Sequence, residues 1–300
     1  MRSKYPLSSG GINRRFFLLA GGGFAASIAF SSCTASQPAA SGSSADSSPA
    51  SVSASPVASD AVLKVAVTPV PAGEILAFVR DNLAPQAGLK AEVVEFNDFN
   101  QPNLALQDGS VDANYYQHIP FMTNFAKNRN LDLVALNAVH FNPVGAFSKK
   151  IKSLNQLSNS AVITIPNDAT NGNRALRLLA DEKLVSLRDG VGELATVKDI
   201  IDNPKNLQIK EIEAPSLIRS LDDAEVSIIT GNFVVQAGMN TKRDAIVLEK
   251  AEGTQYAVHL ATLRGKENDP RIQTLNKLLV DPKVREFINQ KYEGAVIPVF

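Results

Sequence analysis

The amino-acid sequence predicts an α/β fold built on a mostly parallel sheet covered by helices. Two observations carry that expectation. Short β-branched runs alternate with amphipathic helical stretches from residue 61 to residue 300. At the centre, Ile163-Thr-Ile-Pro-Asn-Asp-Ala-Thr-Asn-Gly-Asn-Arg174-Ala-Leu reads as strand, turn and helix. Ligands in such folds sit beyond the carboxyl ends of the strands, and this turn lies at one.

The first 32 residues read as an export signal peptide. Arg2, Lys4, Arg14 and Arg15 are their only charges, and Phe16 to Ser32 is uncharged and mostly apolar. Asn13-Arg14-Arg15-Phe16-Phe17-Leu18 resembles a twin-arginine export signal. Phe30-Ser31-Ser32-Cys33 resembles a lipobox, with Phe30 where leucine is usual. Cys33 is the only cysteine, so an intramolecular disulfide and a cysteine metal site are excluded. Its place directly after the apolar run fits lipidation, with palmitate or another acyl chain as the anchor. Residues 34–60 hold ten Ser, seven Ala and three Pro, with only Asp46 and Asp60 charged. Such a segment buries too little apolar surface to offset its chain entropy, so 33–60 reads as a lipid-anchored linker.

The elements follow in order. Leu63–Val67 alternates as a strand. Ile75, Leu76, Phe78, Val79 and Leu83 mark a helix face. Val93, Val94 and Phe96 belong to a strand, and Leu104 and Leu106 to a short helix ending near Gly109. Leu131 to Leu136 reads as a strand, Leu154 to Leu157 as a turn or short helix, and Ala161 to Ile165 as a buried strand. Thr170 and Asn171 are candidate N-caps for the helix that follows, placing Arg174 in or near its first turn. Leu207–Ile212 is a strand, Ser216–Asp222 a helix and Val226–Thr230 a strand. Ala245–Glu249 and Tyr256–Leu263 look extended; Ile272 to Leu279 and Val284 to Tyr292 are helices.

Charge narrows the function. Without residues 1–32 the chain carries 26 basic against 30 acidic residues, with no basic stripe, which argues against nucleic acid as a partner. No stretch supplies a metal-binding histidine pair or a serine nucleophile elbow. No catalytic residue, metal or cofactor is therefore expected. A helix N-terminus with a guanidinium beside it can hold a small carboxylate. By its own residues, Arg174 reads equally as that ligand-binding group or as a solvated helix residue.

Two longer motifs extend this. Val111-Asp-Ala-Asn-Tyr-Tyr-Gln-His118-Ile-Pro-Phe121 and Pro166 to Leu176 resemble signatures of the NlpA-type methionine-binding lipoproteins, the substrate-binding components of methionine ABC importers. Phe99-Asn-Gln-Pro-Asn-Leu and Gly231-Asn232-Phe233 fit the same pattern. The resemblance implies a two-lobed, type II-like periplasmic-binding-protein fold, with two crossing segments and a cleft between lobes. Residues 61–145 and 250–300 would form lobe one and 146–249 lobe two, with crossings near Phe141–Phe147 and Leu248–Tyr256. It implies an aromatic cage of Phe99, Tyr116, His118 and Phe121 around a thioether, with His118 a hydrogen-bond donor to polar ligand atoms. It makes Arg174 the carboxylate ligand and Asn232 a second head-group contact. The implied role is capture of L-methionine or a close analogue outside the cytoplasm, by a protein lipid-anchored to the membrane and facing the periplasm or cell exterior. Delivery would be to an ABC permease and its ATPase. A different small amino acid or peptide is the alternative ligand; an enzyme or an adhesion lipoprotein on this scaffold is the alternative role. The chain departs from the family pattern at Phe99, where Tyr is common, in a Phe/Tyr exchange at Tyr116 and Phe121, at Asn173 in place of Gly, and at Val258. The last stands where the family has asparagine, removing one anchor of the amino-acid head.

Overall fold

Two mixed sheets, each sandwiched between helices, meet where the candidate residues lie. The computed structural model describes residues 61–250 and 254–300. The expected signal peptide, Cys33 and the linker lie outside the described residues.

In chain order the first half contains β1 (Leu63–Val67), α1 (Glu74–Asn82), β2 (Ala91–Glu95), α2 (Gln101–Gln107), β3 (Ala113–His118), α3 (Ile119–Arg129), β4 (Leu133–Phe141), β5 (Val144–Phe147) and β6 (Val162–Pro166). Then come α4 (Ala169–Asp181), the short pair β7 (Ser186–Leu187) and β8 (Ile200–Asp202), β9 (Gln208–Ile212), α5 (Leu217–Ser220), β10 (Val226–Thr230) and α6 (Gly231–Gln236). The chain closes with α7 (Thr241–Asp244), β11 (Val247–Leu248), β12 (Ala257–Leu263), α8 (Pro270–Leu278), α9 (Pro282–Tyr292) and β13 (Ile297–Pro298).

The first sheet has six strands in the order β13-β4-β12-β3-β1-β2, and the second has five in the order β11-β5-β10-β6-β9. The expected mostly parallel arrangement is corrected to a mixed one. β1 runs parallel to β2 and β3, but β12 is antiparallel to both β3 and β4. Likewise β6 is parallel to β9 and β10, while β5 is antiparallel to β10 and β11. Of the antiparallel members, β4, β5, β11 and β12 lead from one sheet to the other, and β13 is a C-terminal edge strand. The chain leaves the first sheet at Phe141, enters the second at Val144, and returns between Leu248 and Ala257.

Alternation along β1 explains the layering. Leu63, Val65 and Val67 join Ile75, Leu76 and Val79 of α1 and Ile272, Leu275, Val284 and Ile288 of α8 and α9. Ala66, on the opposite side, meets Leu106 of α2 and Met122 of α3. Asp269 and Asp281 each cap a helix whose first residue is proline, so α8 and α9 start by the same local chemistry. In the second sheet, Ile163, Ile165 and Ile228 face Leu176 and Leu179 of α4, whereas Ile229 and Phe147 face Leu217, Phe233 and Val234 of α5 and α6.

The structure also adds elements that the periodicity did not show. Ala113–His118 is a fully buried strand, and α3 follows it without a linker. β4 continues to Phe141, beyond the expected end at Leu136. Residues 245–249 contribute only the two-residue β11.

Candidate functional site

β3 reaches the site with a bulge. Gln117 pairs with His259 and Tyr115 with Leu260, so Tyr116 is an extra residue against β12. The bulge turns Asn114 and Gln117 to a common side, where Gln117 Nε2 donates to Asn114 Oδ1 (2.9 Å) and Asn103 Oδ1 (2.8 Å). This buried amide cluster fixes the end of the strand.

His118 then caps α3. Its Nδ1 accepts from the Phe121 N–H at 3.2 Å, which places the ring proton on Nε2. Nε2–H donates to Asn171 Oδ1 of α4 at 3.1 Å. Burial, reinforced by the positive charge of Arg174, lowers the His118 pKa from 6.5 to about 3. His118 is thus a neutral strut between the two sheets. Both ring nitrogens bond within the protein, and the ring forms part of a chamber wall.

The aromatic residues gather at one end. Phe99 lies 6.2 Å from Tyr116, 5.8 Å from Phe121 and 5.2 Å from Phe233 between ring centroids. Tyr116 and Phe121 are 6.1 Å apart and near perpendicular. The Tyr116 hydroxyl donates to the Phe99 carbonyl at 2.8 Å, holding the loop that carries Phe99 against β3.

The other end is polar. The expected caps of α4 are corrected: Asp168 is the N-cap, accepting from Asn171 N at 2.9 Å. A protein carboxylate therefore already sits at the helix N-terminus, and Arg174 reaches the site from the second turn. Asn171 is oriented by Asp168, to whose carboxylate its amide nitrogen donates at 3.1 Å. Arg174 donates from Nη1 to Asn171 Oδ1 (3.0 Å), from Nη2 to the Asn142 carbonyl (3.0 Å), and from Nε to Glu249 Oε2 (3.1 Å). Nη2 also donates to Glu249 Oε1, completing a two-pronged ion pair. Oε1 additionally accepts from Val144 N at 2.6 Å. The Tyr256 ring lies 4.6 Å from the guanidinium carbon. Asn173, in contrast, turns away and accepts from Ala195 N at 3.2 Å.

α6 brings Asn232 to the same end. Gly231 starts that helix because a Cβ there would come within 2.8 Å of the Pro143 carbonyl oxygen. Asn232 lies in the first turn. Three buried atoms here have no hydrogen-bond partner: Asn142 Oδ1, Thr230 Oγ1 and Asn232 Nδ2. Leaving such groups unpaired is costly, and all three belong to one chamber, so the arrangement can take polar ligand atoms.

All six candidate residues, Phe99, Tyr116, His118, Phe121, Arg174 and Asn232, line one chamber. Gln117, Asn142, Asn171, Thr230, Tyr256 and Val258 complete its wall. The space between its walls is about 360 Å³, part of it open to solvent. Val258 is opposite His118 in the strand pairing, buried in the wall. His259 points elsewhere, with Nδ1 2.8 Å from the Leu136 carbonyl. Among the described residues, no group of three or more His, Cys, Asp or Glu could hold a metal. None of their helices is long and apolar enough to cross a membrane.

A family model, the NlpA lipoprotein, matches residues 63–300. The D-methionine-binding lipoprotein MetQ of Escherichia coli K12 is 38% identical over 212 residues, covering 70% of this chain and 78% of that protein. The methionine-binding lipoprotein MetQ of Bacillus subtilis is 36% identical over 239 residues, covering 78% and 87%. Among solved structures, a nutrient-binding protein from Burkholderia cenocepacia bound to methionine superposes with a TM-score of 0.77 at 36% identity. That match covers 79% of this chain and all of the other.

Proposed function

This chain belongs to the NlpA lipoprotein family, and on that premise we propose that it captures L-methionine, or a close analogue, outside the cytoplasm for an ABC importer. Its role is binding and delivery, not catalysis. The observation that carries the reading is the division of one chamber into an aromatic end and an end of unpartnered polar atoms. A flexible thioether suits the first. Sulfur–aromatic contacts contribute about 0.3–1.5 kcal/mol each. An α-amino acid head suits the second, with Arg174 and Asn232 on its carboxylate.

Each sheet with its helices forms one lobe. The lobes open and close about the two crossings, one at Asn142–Pro143 and one that follows Leu248. Ligand favours the closed state because only there do both lobes touch it. Asn142 Oδ1 and Thr230 Oγ1 take over the role lost with asparagine at Val258. Lipidation of Cys33 anchors the protein after removal of residues 1–32, and a membrane permease with its ATPase receives the ligand. Replacing Cys33 by Ser then releases the protein from membranes on fractionation; retention would point to another anchor.

Ligand-dependent melting tests the binding reading. The detergent-solubilised full chain is unfolded and refolded first, to strip carried ligand, then melted with the common amino acids, D-methionine and methionine sulfoxide. Ligand at a thousand times its dissociation constant adds about 4.1 kcal/mol, a rise on the order of 8–16 °C. Such a rise with L-methionine supports the reading. A rise only with another amino acid redirects the specificity, and none with any ligand contradicts the small-molecule role.

A further inference from the structure

We propose that Glu249 sets the charge class of the ligand: clamped on Arg174, it makes the head-group end of the chamber electrically neutral, so that the site selects a zwitterion over a net anion or a net cation. The inference rests on the amino-acid reading above and adds the ligand's charge to it.

The geometry begins with the donors of Arg174. A guanidinium has five N–H groups. Glu249 takes one from Nε and one from Nη2, the Asn142 carbonyl takes the other Nη2 proton, and Asn171 takes one from Nη1. One Nη1 N–H is left. A ligand carboxylate therefore meets a single arginine donor and Asn232 Nδ2, rather than a free two-pronged fork.

The charges of Arg174 and Glu249 cancel where water screens them little, and Asp168, behind Asn171, faces the N-terminus of α4, whose partial positive charge offsets it in part. The Arg174 and Glu249 side chains are 3% and 13% exposed. Of the other ionisable side chains on the chamber wall, His118 is held neutral, and burial raises the pKa of Tyr116 and Tyr256 so that they too carry no charge. Beyond the Arg174–Tyr256 wall, an adjoining cavity carries Arg177 and Lys250 against Asp181 and Glu193, again balanced. A ligand bearing one unbalanced charge brings that charge into a neutral, desolvated space and loses its hydration without repayment. A zwitterion brings both signs. Its carboxylate meets the spare Nη1 N–H and Asn232 Nδ2; its ammonium meets the unpartnered oxygens of Asn142 and Thr230.

The test compares three ligands of one skeleton by calorimetry at neutral pH on the refolded full chain: L-methionine, its amino-free anion 4-(methylthio)butanoate, and its carboxylate-free cation L-methioninol. In the native protein the anion and the cation both bind more weakly than methionine, with losses within about tenfold of each other. A loss for the cation about a hundredfold larger than for the anion marks a positive site and overturns the proposal. In Glu249→Gln, which keeps the shape and an acceptor for Val144 N–H, the anion gains on methionine by about tenfold or more while the cation falls further behind. A general packing defect lowers all three together and leaves the ratios unchanged, which also overturns the proposal. If the native protein binds none of the three, the methionine reading itself falls, and the charge inference falls with it.

Discussion

The aromatic end of the chamber comes mostly from one short stretch, β3 running into α3, with Phe99 from the loop before α2. The polar end is assembled from four separate places: the crossing at Asn142, α4, the start of α6, and Glu249 before the second crossing. The first is held by local bonds, such as His118 capping its own helix. The second is held by a buried ion pair between residues 75 apart in sequence. The difference teaches that shape and charge in this site fail separately. Damage to the aromatic end should change which side chain fits, whereas damage to the polar end should change head-group recognition; either costs stability.

The largest effect is expected from Arg174→Ala. It removes the proposed ligand contact and leaves the largely buried Glu249 without its partner, which costs up to about 3–5 kcal/mol of stability. Calorimetry should show ligand affinity down by about tenfold or more, and denaturant melts should show the loss of stability. An affinity loss without destabilisation would mean that the Glu249 pair contributes little to the fold.

Phe121→Ala comes next. The residue is 8% exposed and touches Phe99, Tyr116 and Phe125 through ring contacts. Its truncation should cost about 3–5 kcal/mol of stability. It should also weaken methionine more than alanine, because in the proposed binding mode only the methionine side chain reaches the aromatic end. Equal losses for both ligands would contradict the assignment of that end to the thioether.

Acid exposes the two buried histidines. His118 and His140 each have a pKa lowered from 6.5 to about 3 by burial. The unfolded chain takes up their protons below about pH 6.5, while the folded chain stays neutral there until about pH 3. Stability from these two residues is therefore full above the higher value and declines as pH falls, by about 1.4 kcal/mol per unit and residue. Melting temperatures of His118→Gln across that window should fall less steeply than those of the native protein.

Tyr116→Phe should have the smallest effect. It loses one hydrogen bond, to the Phe99 carbonyl, worth about 1 kcal/mol. Its ring stays in place, so the ranking of ligands by side chain should not change.

The same contrast explains what could be read in the sequence. Motif residues clustered in the chain, Tyr116, His118 and Phe121, meet at one end of the chamber, and Arg174 and Asn232 meet at the other. Asp168 could have been found as a cap, because Asp followed three residues later by a helical N–H is a local pattern. The strand Ala113–His118 was hidden because its polar residues, Asn114, Gln117 and His118, satisfy one another or distant partners and so do not alternate with apolar ones. The antiparallel halves of the sheets depend on where the chain crosses, which periodicity does not encode. Glu249 gave no signal at all: nothing near it in sequence marks it as the partner of Arg174.

The most direct test of the account is a crystal structure of the refolded protein, grown with ordinary methionine, after soaking with L-selenomethionine. Anomalous scattering then locates the ligand's selenium alone. The account predicts one strong peak among Phe99, Tyr116 and Phe121, with the amino-acid head toward Arg174 and Asn232. A peak beside Arg174, or none in the chamber, would contradict it.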